Sequence, residues 1–275
     1  MKYRLAAMDL DGTTLNRKRH ISEGNRKAME EALEMGAHVV VATGRAYSAL
    51  PSDVFEIKGL RYVMCSNGAQ VWDIREKQLI YHNYIAACAV DDVIDMLSGM
   101  EYMYEVFIDG KAYTDSVSYE KAKRGELTFR NQDYIVETRI PVDDLMGLMR
   151  EHREEIENVN INFGDMSIKK SLGEKLATID NTTLTTSFDH NWEIGGATTG
   201  KGDALLHLIS HLGIKGEECI AIGDSPNDIS MLKVAGMPCC VGNAKDEVKE
   251  NSKYIADTND NDGVAEILKK FIIDA

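Results

Sequence analysis

Tyr3-Arg-Leu-Ala-Ala-Met-Asp-Leu-Asp-Gly-Thr13 decides the fold class. The segment from Tyr3 to Met8 reads as a buried strand, and the chain then reaches Asp9, Asp11 and Gly12. In an open α/β sheet the ligand crevice lies beyond the carboxyl ends of parallel strands. Residues two apart on an extended segment face the same way, so Asp9 and Asp11 are expected side by side. Two close carboxylates repel unless a proton or a cation separates them. A hard cation such as magnesium suits oxygen donors. A plain Asx-turn at the end of an edge strand is the competing explanation.

Working outward, a β-α rhythm extends in both directions. Ser22 reads as an N-cap for a helix from Glu23 to Met35, stopped by Gly36. Ala37–Ala42 is β-branched and suits a parallel strand buried on both faces. Tyr62–Cys65 reads as another strand, and Gln70–Tyr81 as a hairpin. Near the other end, Lys201–Leu212 carries Ala204, Leu205, Leu208, Ile209 and Leu212 at helical spacing. Cys219–Ile222 reads as a strand, Ser225–Ala235 as a helix, Met237–Val241 as a strand, Tyr254–Ala256 as a last strand and Val264–Phe271 as a last helix. The expected class is α/β, a Rossmann-like parallel sheet with helices on both faces. Residues 85–190 break the rhythm, with helices at Val90–Leu97 and Asp143–Arg153 and alternating strands at Tyr104–Ile108, Lys111–Thr114 and Val159–Phe163. They predict an inserted α+β cap, leaving 1–84 and 191–275 as the core.

The 275 residues suffice for one large or two modest domains. The net charge of −14 opposes binding to nucleic acid and to anionic membranes. An anionic substrate would need local cations. Five cysteines, without a CxxC, point to buried apolar packing in a reducing compartment and away from structural zinc. With no signal-like start and no run long enough to span a bilayer, the sequence reads as soluble and cytoplasmic.

Three further stretches carry chemistry. Thr43-Gly44-Arg45 follows the second strand, where a hydroxyl and backbone N–H groups can hold phosphate oxygens. Lys201-Gly202 opens a helix, where a lysine can neutralise phosphate; a surface lysine is the commoner explanation. In Gly223-Asp-Ser-Pro-Asn-Asp228, a capping box with Pro226 at the first helical position accounts for Ser225, Pro226 and Asp228. It does not account for Asp224. His207 and His211 have the spacing of a metal pair but read as surface residues. Trp72 and Trp192 read as packing residues, with Trp192 also a candidate substrate contact.

Taken in order, these stretches resemble the haloacid dehalogenase-like hydrolases, and within them the Cof-like phosphatases with a large inserted cap. The resemblance rests on Asp9–Thr13, Ala42–Arg45, Ser66–Ala69, Lys201-Gly202 with Ala204-Leu205, and Gly223-Asp224 with Asn227-Asp228 and Met231-Leu232. Val241–Ala244 and Asp262–Val264 complete the pattern. It implies a magnesium-dependent hydrolysis of small phosphomonoesters, sugar phosphates or phosphorylated cofactors, through an aspartyl-phosphate. It casts Asp9 as nucleophile and metal ligand, and Asp11 as acid, then base, and backbone metal ligand. Asp224 becomes the other carboxylate ligand, with Asp228 behind the metal. Thr43, Gly44, Lys201, Asn227 and the Leu10 N–H become the phosphate cradle. A phosphomutase and a non-catalytic phospholigand-binding regulator are the alternatives. Thr14 replaces the family's usual leucine, a matter of packing, and Gly200 replaces a side-chain cap ahead of Lys201, which predicts a looser helix start. The oligomeric state is not legible.

Overall fold

The computed structural model describes residues 2–275. The chain divides into two compact units. The first runs to Gly44 and continues through Leu50–Tyr81 and Gly200–Ala275; the second comprises Arg45–Ala49 and His82–Thr199.

The first unit is built on an eight-stranded sheet. Its strands are β1 (Leu5–Asp9), β2 (His38–Ala42), β3 (Tyr62–Cys65), β4 (Gln70–Asp73), β5 (Gln78–His82), β12 (Cys219–Gly223), β13 (Met237–Cys240) and β14 (Tyr254–Ile255). Their order is β14-β13-β12-β1-β2-β3-β4-β5. The six strands from β14 to β3 are parallel, and β4 turns back antiparallel on β3. Leu5, Ala7, Val40 and Ala42 pack with Ala204, Leu205, Met231 and Leu232 from the helices Lys201–Leu212 and Ile229–Val234. The alternating Ala6, Met8, Val39 and Val41 are equally buried. Both faces of the central strands are therefore covered, as their unbroken apolar character requires. Ser22 caps the helix Glu23–Glu34 by accepting the Asn25 N–H. The expected helix at Ser225–Ala235 begins as a 3₁₀ turn, Pro226–Asp228, before Ile229–Val234 becomes α-helical.

The second unit carries a six-stranded sheet of order β10-β11-β9-β6-β7-β8. These are β6 (Met103–Ile108), β7 (Lys111–Asp115), β8 (Arg139–Val142), β9 (Ile156–Asn162), β10 (Thr182–Thr185) and β11 (Asn191–Gly196). One face presents Tyr104, Val106, Ile108, Val159, Ile161 and Ile194 to helices Ala87–Leu97, Leu145–Glu151 and Lys169–Leu176. Its other face carries a buried polar row in which Glu105, Asn160 and Glu193 lie opposite one another on adjacent strands. Arg139 and Arg130 both donate to Glu105, at 2.9 and 2.8 Å, and Asn160 Nδ2 donates to it at 3.0 Å.

The domain boundary expected at residue 190 is displaced. Asn191–Gly196 pairs with β9 and β10 and so belongs to the second unit, which ends at Thr199. The alternation of Asn191-Trp192-Glu193-Ile194 suits an antiparallel strand with one polar face, not a buried parallel one. Residues 45–49 also join this unit, where Ser48 N–H donates to Gly110 O and Ala46 packs on Phe107 and Ala112. Trp192 packs on Gly173 and donates to Lys169 O, the packing role. His207 and His211 are exposed. Four cysteines are buried as expected, but Cys88 is exposed.

Candidate active site

Strands β1 and β12 are hydrogen-bonded neighbours, so their carboxyl ends bring Asp9 and Asp224 together from opposite ends of the sequence. Asp9, Asp224 and Asp228 each offer a carboxylate oxygen within 4.8 Å of the others. Lys201, fully buried at the start of its helix, donates to Asp9 Oδ1 at 2.5 Å and to Asp228 Oδ1 at 2.6 Å. Asp228 Oδ2 accepts the backbone N–H groups of Asp224 and Ser225, at 2.9 and 3.0 Å. The second of these closes the capping box, and the same side chain thereby ties the strand end to the lysine. Asp224 is held by Thr13 Oγ1 at 2.7 Å and by Ser225 Oγ at 3.1 Å.

Glycines let these loops approach. Gly12 has φ of +82°, and a Cβ there would lie 2.7 Å from Asp224 Oδ2. Gly68, at φ +92°, brings its turn so near the lysine helix that a Cβ would lie 2.4 Å from Gly200 O.

Three carboxylates share one ammonium here. Burial raises the Asp9 carboxyl well above its ordinary range, and Asp228 and Asp224 push the same way against the pull of Lys201. Asp224 is pushed up to about 6, by burial first and then by Asp228. Burial would lower Lys201, but Asp228 and Asp9 outweigh it and keep the ammonium charged. An all-oxygen set with surplus negative charge fits a hard divalent cation, which would relieve the repulsion.

Asp11 is exposed, and its carboxylate is not part of the cluster. In the cluster, Asp228 stands with Asp9 and Asp224. The chain curls immediately after β1, with Leu10 O accepting from both Thr14 and Leu15 N–H, so the alternation of an extended strand does not continue. Leu10 and Thr43 are buried, and Gly44 lies against the Asn67 side chain. Asn227 Nδ2 donates to Asn67 Oδ1 at 3.0 Å, while Asn227 Oδ1 is buried without a partner.

Thr14 is more than packing: its hydroxyl donates to Asp9 O at 2.5 Å from a fully buried position. Gly200 supplies no side-chain cap, and Ser230 Oγ accepts the Gly202 N–H at 3.1 Å instead. The sequence reading assigned no role to Thr13 or Asn67. Asn67 sits at φ 55°, following Ser66 at φ 52°, and Ser-Asn-Gly is a composition that tolerates this left-handed turn. That signal was available; the partnership of Thr13 with Asp224 was not.

A parallel sheet with this constellation at its carboxyl edge, and a second α+β unit inserted between its halves, defines a hydrolase of the haloacid dehalogenase-like type. The profile of that family, haloacid dehalogenase-like hydrolase, matches residues 6–268, and the chain belongs to it. Phosphatase YwpJ of Bacillus subtilis is 33% identical, covering 98% of this chain and 100% of the relative. The 5-amino-6-(5-phospho-D-ribitylamino)uracil phosphatase YcsE of the same organism is 28% identical over 98% of this chain and 96% of its own. A solved haloacid dehalogenase-like hydrolase from B. subtilis superposes with a TM-score of 0.84 at 30% identity, covering 98% of this chain and 99% of that one. The chain is an enzyme of the phosphoric monoester hydrolase class. No helix among the described residues is long and apolar enough to cross a membrane.

Proposed function

We propose that the protein hydrolyses small phosphomonoesters through an aspartyl-phosphate on Asp9, with Mg²⁺ as cofactor. The observation that carries this reading is the double hydrogen bond of buried Lys201 to Asp9 and Asp228, beside Asp224. Asp9, Asp224 and the Asp11 backbone carbonyl would hold the ion, with Asp228 behind them. Bound there, the ion would supply positive charge to the phosphoryl oxygens. Lys201 adds a fixed ammonium that offsets the repulsion between a carboxylate nucleophile and a phosphate dianion. Thr43, Gly44, Asn227 and the Leu10 N–H complete the cradle.

In the first step an Asp9 carboxylate oxygen bonds to phosphorus as the ester oxygen leaves, and the Asp11 carboxyl gives that oxygen its proton. In the second, Asp11 as carboxylate takes a proton from water, whose oxygen bonds to phosphorus. The aspartyl-phosphate bond breaks, releasing phosphate and restoring Asp9. The exposure of Asp11 supports this role, because its carboxyl must be reachable first by the leaving oxygen and then by the attacking water, which restores the proton it gave. Lys201 holds Asp9 Oδ1 in place throughout.

Every residue of this machinery lies in the first unit, and none distinguishes one leaving group from another. Selection of the substrate falls to the second unit. The relative named for a phosphoribitylamino-uracil supports a substrate phosphorylated on a sugar-like chain.

The test is phosphate release from a panel of metabolites, with and without Mg²⁺, on wild type and Asp9→Asn. Release that needs the metal and falls by at least about a thousandfold in Asp9→Asn, with an unchanged fold, is expected. Near wild-type release by Asp9→Asn, or full activity after exhaustive chelation, would overturn it. Transfer of phosphate back to the product in place of net release would identify a mutase, and binding without turnover a regulator.

A further inference from the structure

Three consecutive residues after β3, Ser66, Asn67 and Gly68, hold φ of 52°, 55° and 92°. Glycine and asparagine enter this left-handed region readily, as single steps in an ordinary turn; a serine does so at a cost, and a run of three is not routine. Residues so held persist only where their surroundings fix them. Here Asn67 N–H donates to Thr43 O at 3.0 Å, Thr43 N–H donates to Met64 O at 2.8 Å, and Ser66 O accepts the Ala69 N–H at 3.1 Å. Ser66 and Asn67 are both buried.

The strained turn fixes the place of one carboxamide. The loops that follow β2 and β12 carry Gly44 and Asn227, two members of the proposed phosphate cradle, and β1 stands between these strands in the sheet. Asn67 Oδ1 accepts from Asn227 Nδ2 at 3.0 Å, and a Cβ on Gly44 would lie 3.0 Å from the same oxygen. One side chain from a third loop therefore touches both arms of the cradle.

The bond to Asn67 also orients Asn227. An amide offers two N–H donors at its nitrogen and an acceptor at its oxygen, and only the donors suit a phosphate oxygen. Asn67 Oδ1 takes one hydrogen of Asn227 Nδ2 and leaves the second for phosphate. Asn227 Oδ1 is meanwhile buried without a partner. Buried acceptors are nearly always satisfied, so this orientation does not serve the polar atoms of Asn227 itself; Asn67 imposes it.

We infer that Asn67 is a positioning residue for the phosphoryl group: its carboxamide, seated against Gly44 by the left-handed turn, holds Asn227 with an N–H turned to phosphate. The inference rests on the phosphate chemistry proposed above, and it concerns affinity for the phosphoryl group, not the attack by Asp9.

The experiment combines steady-state hydrolysis of nitrophenyl phosphate with calorimetric binding of inorganic phosphate to the Mg²⁺-loaded protein. Asn67→Gly accepts the positive φ and removes only the carboxamide. It should raise KM and the phosphate Kd about tenfold, the worth of one hydrogen bond to a charged group, and leave kcat within about threefold. A purely architectural role predicts the reverse: a smaller folded fraction, hence a lower kcat with KM unmoved. Asn67→Asp keeps the shape, the turn and the acceptor for Asn227 but adds a negative charge, and should also weaken phosphate by at least about tenfold. In an Asn227→Ala background, Asn67→Gly should change KM by less than about threefold, because its effect passes through Asn227. Unchanged phosphate affinity in both Asn67 variants, or an equal effect of Asn67→Gly with and without Asn227, would overturn the inference. Wild type that binds phosphate without turnover would sink the proposed reaction while the calorimetry still decides the role of Asn67; wild type that binds no phosphate would sink both.

Discussion

Thr13 Oγ1 donates to Asp224 Oδ1 at 2.7 Å, joining the loop after the first strand of the chain to the loop after the twelfth. Thr13 is fully buried, and with Ser225 Oγ it fixes the orientation of the Asp224 carboxylate.

Thr13→Val keeps the volume and removes this hydrogen bond. Residues that orient a metal ligand typically change metal affinity by about 10–100-fold when replaced. The expected outcome is a rise of about tenfold in the Mg²⁺ concentration that half-activates the enzyme, with much of the turnover recovered at saturating metal. A metal titration of phosphate release reads both quantities.

Lys201→Met leaves Asp9 and Asp228 facing each other in a buried site without their shared ammonium. Breaking a buried ion pair from one side costs about 3–5 kcal/mol. The metal-free protein should lose about that much stability in urea denaturation. Adding Asp228→Asn should return part of it, and the cycle of single and double variants measures how much.

Acid should unfold the second unit through Glu105. Burial would raise this carboxyl, but Arg130 and Arg139 outweigh burial and hold it at about 2, below an ordinary value of 4.5. A depressed carboxyl stabilises the fold fully above its unfolded value and loses that contribution as pH falls through its folded one. The loss should therefore run from about pH 4.5 down to about pH 2 and amount to about 3 kcal/mol. Glu105→Gln should be less stable at neutral pH, having left two guanidinium groups without their carboxylate, and should show a flatter acid limb. Trp192 fluorescence in a Trp72→Phe background reports on the second unit alone.

Thiol reagents should modify one cysteine. Cys88 is exposed, whereas Cys65, Cys219, Cys239 and Cys240 are buried. Burial pushes the Cys219 and Cys239 thiols up to about 12, further suppressing the reactive thiolate. Mass spectrometry of the native protein should find a single adduct that disappears in Cys88→Ser, and further adducts after denaturation.

Legibility in the sequence followed the range of the interactions. Lys201–Leu212 matches its apolar spacing because one helix face meets one core. Tyr62–Cys65 was equally plain, being apolar throughout and bounded by turn residues. The helix Gln132–Thr138 went unseen because only Ile135 of its seven residues is buried. The strand β11 was misplaced because its polar residues are stabilised by partners elsewhere: Asn191 Nδ2 bonds Asn160 Oδ1 at 3.2 Å and Glu193 Oε1 at 2.7 Å. The same holds at the acidic cluster. Local pattern marked Asp9 and Asp224 as carboxylates at strand ends and gave Asp228 to a capping box. That Asp228 joins the cluster and Asp11 does not depends on the curl of the chain after Leu10 and on the reach of Lys201.

The strand order of the first sheet has a consequence for biosynthesis. Strand β1 leaves the ribosome early, yet one of its two neighbours is β12, which ends at Gly223. Until that point one edge of β1 has no partner from its own chain, and Asp9 waits without Asp224 or Asp228. The second unit, complete at Thr199, has all its strands before then. Nascent chains should therefore acquire a protease-resistant second unit first, with the first unit and its acidic cluster closing only after β12 and Asp228 have emerged.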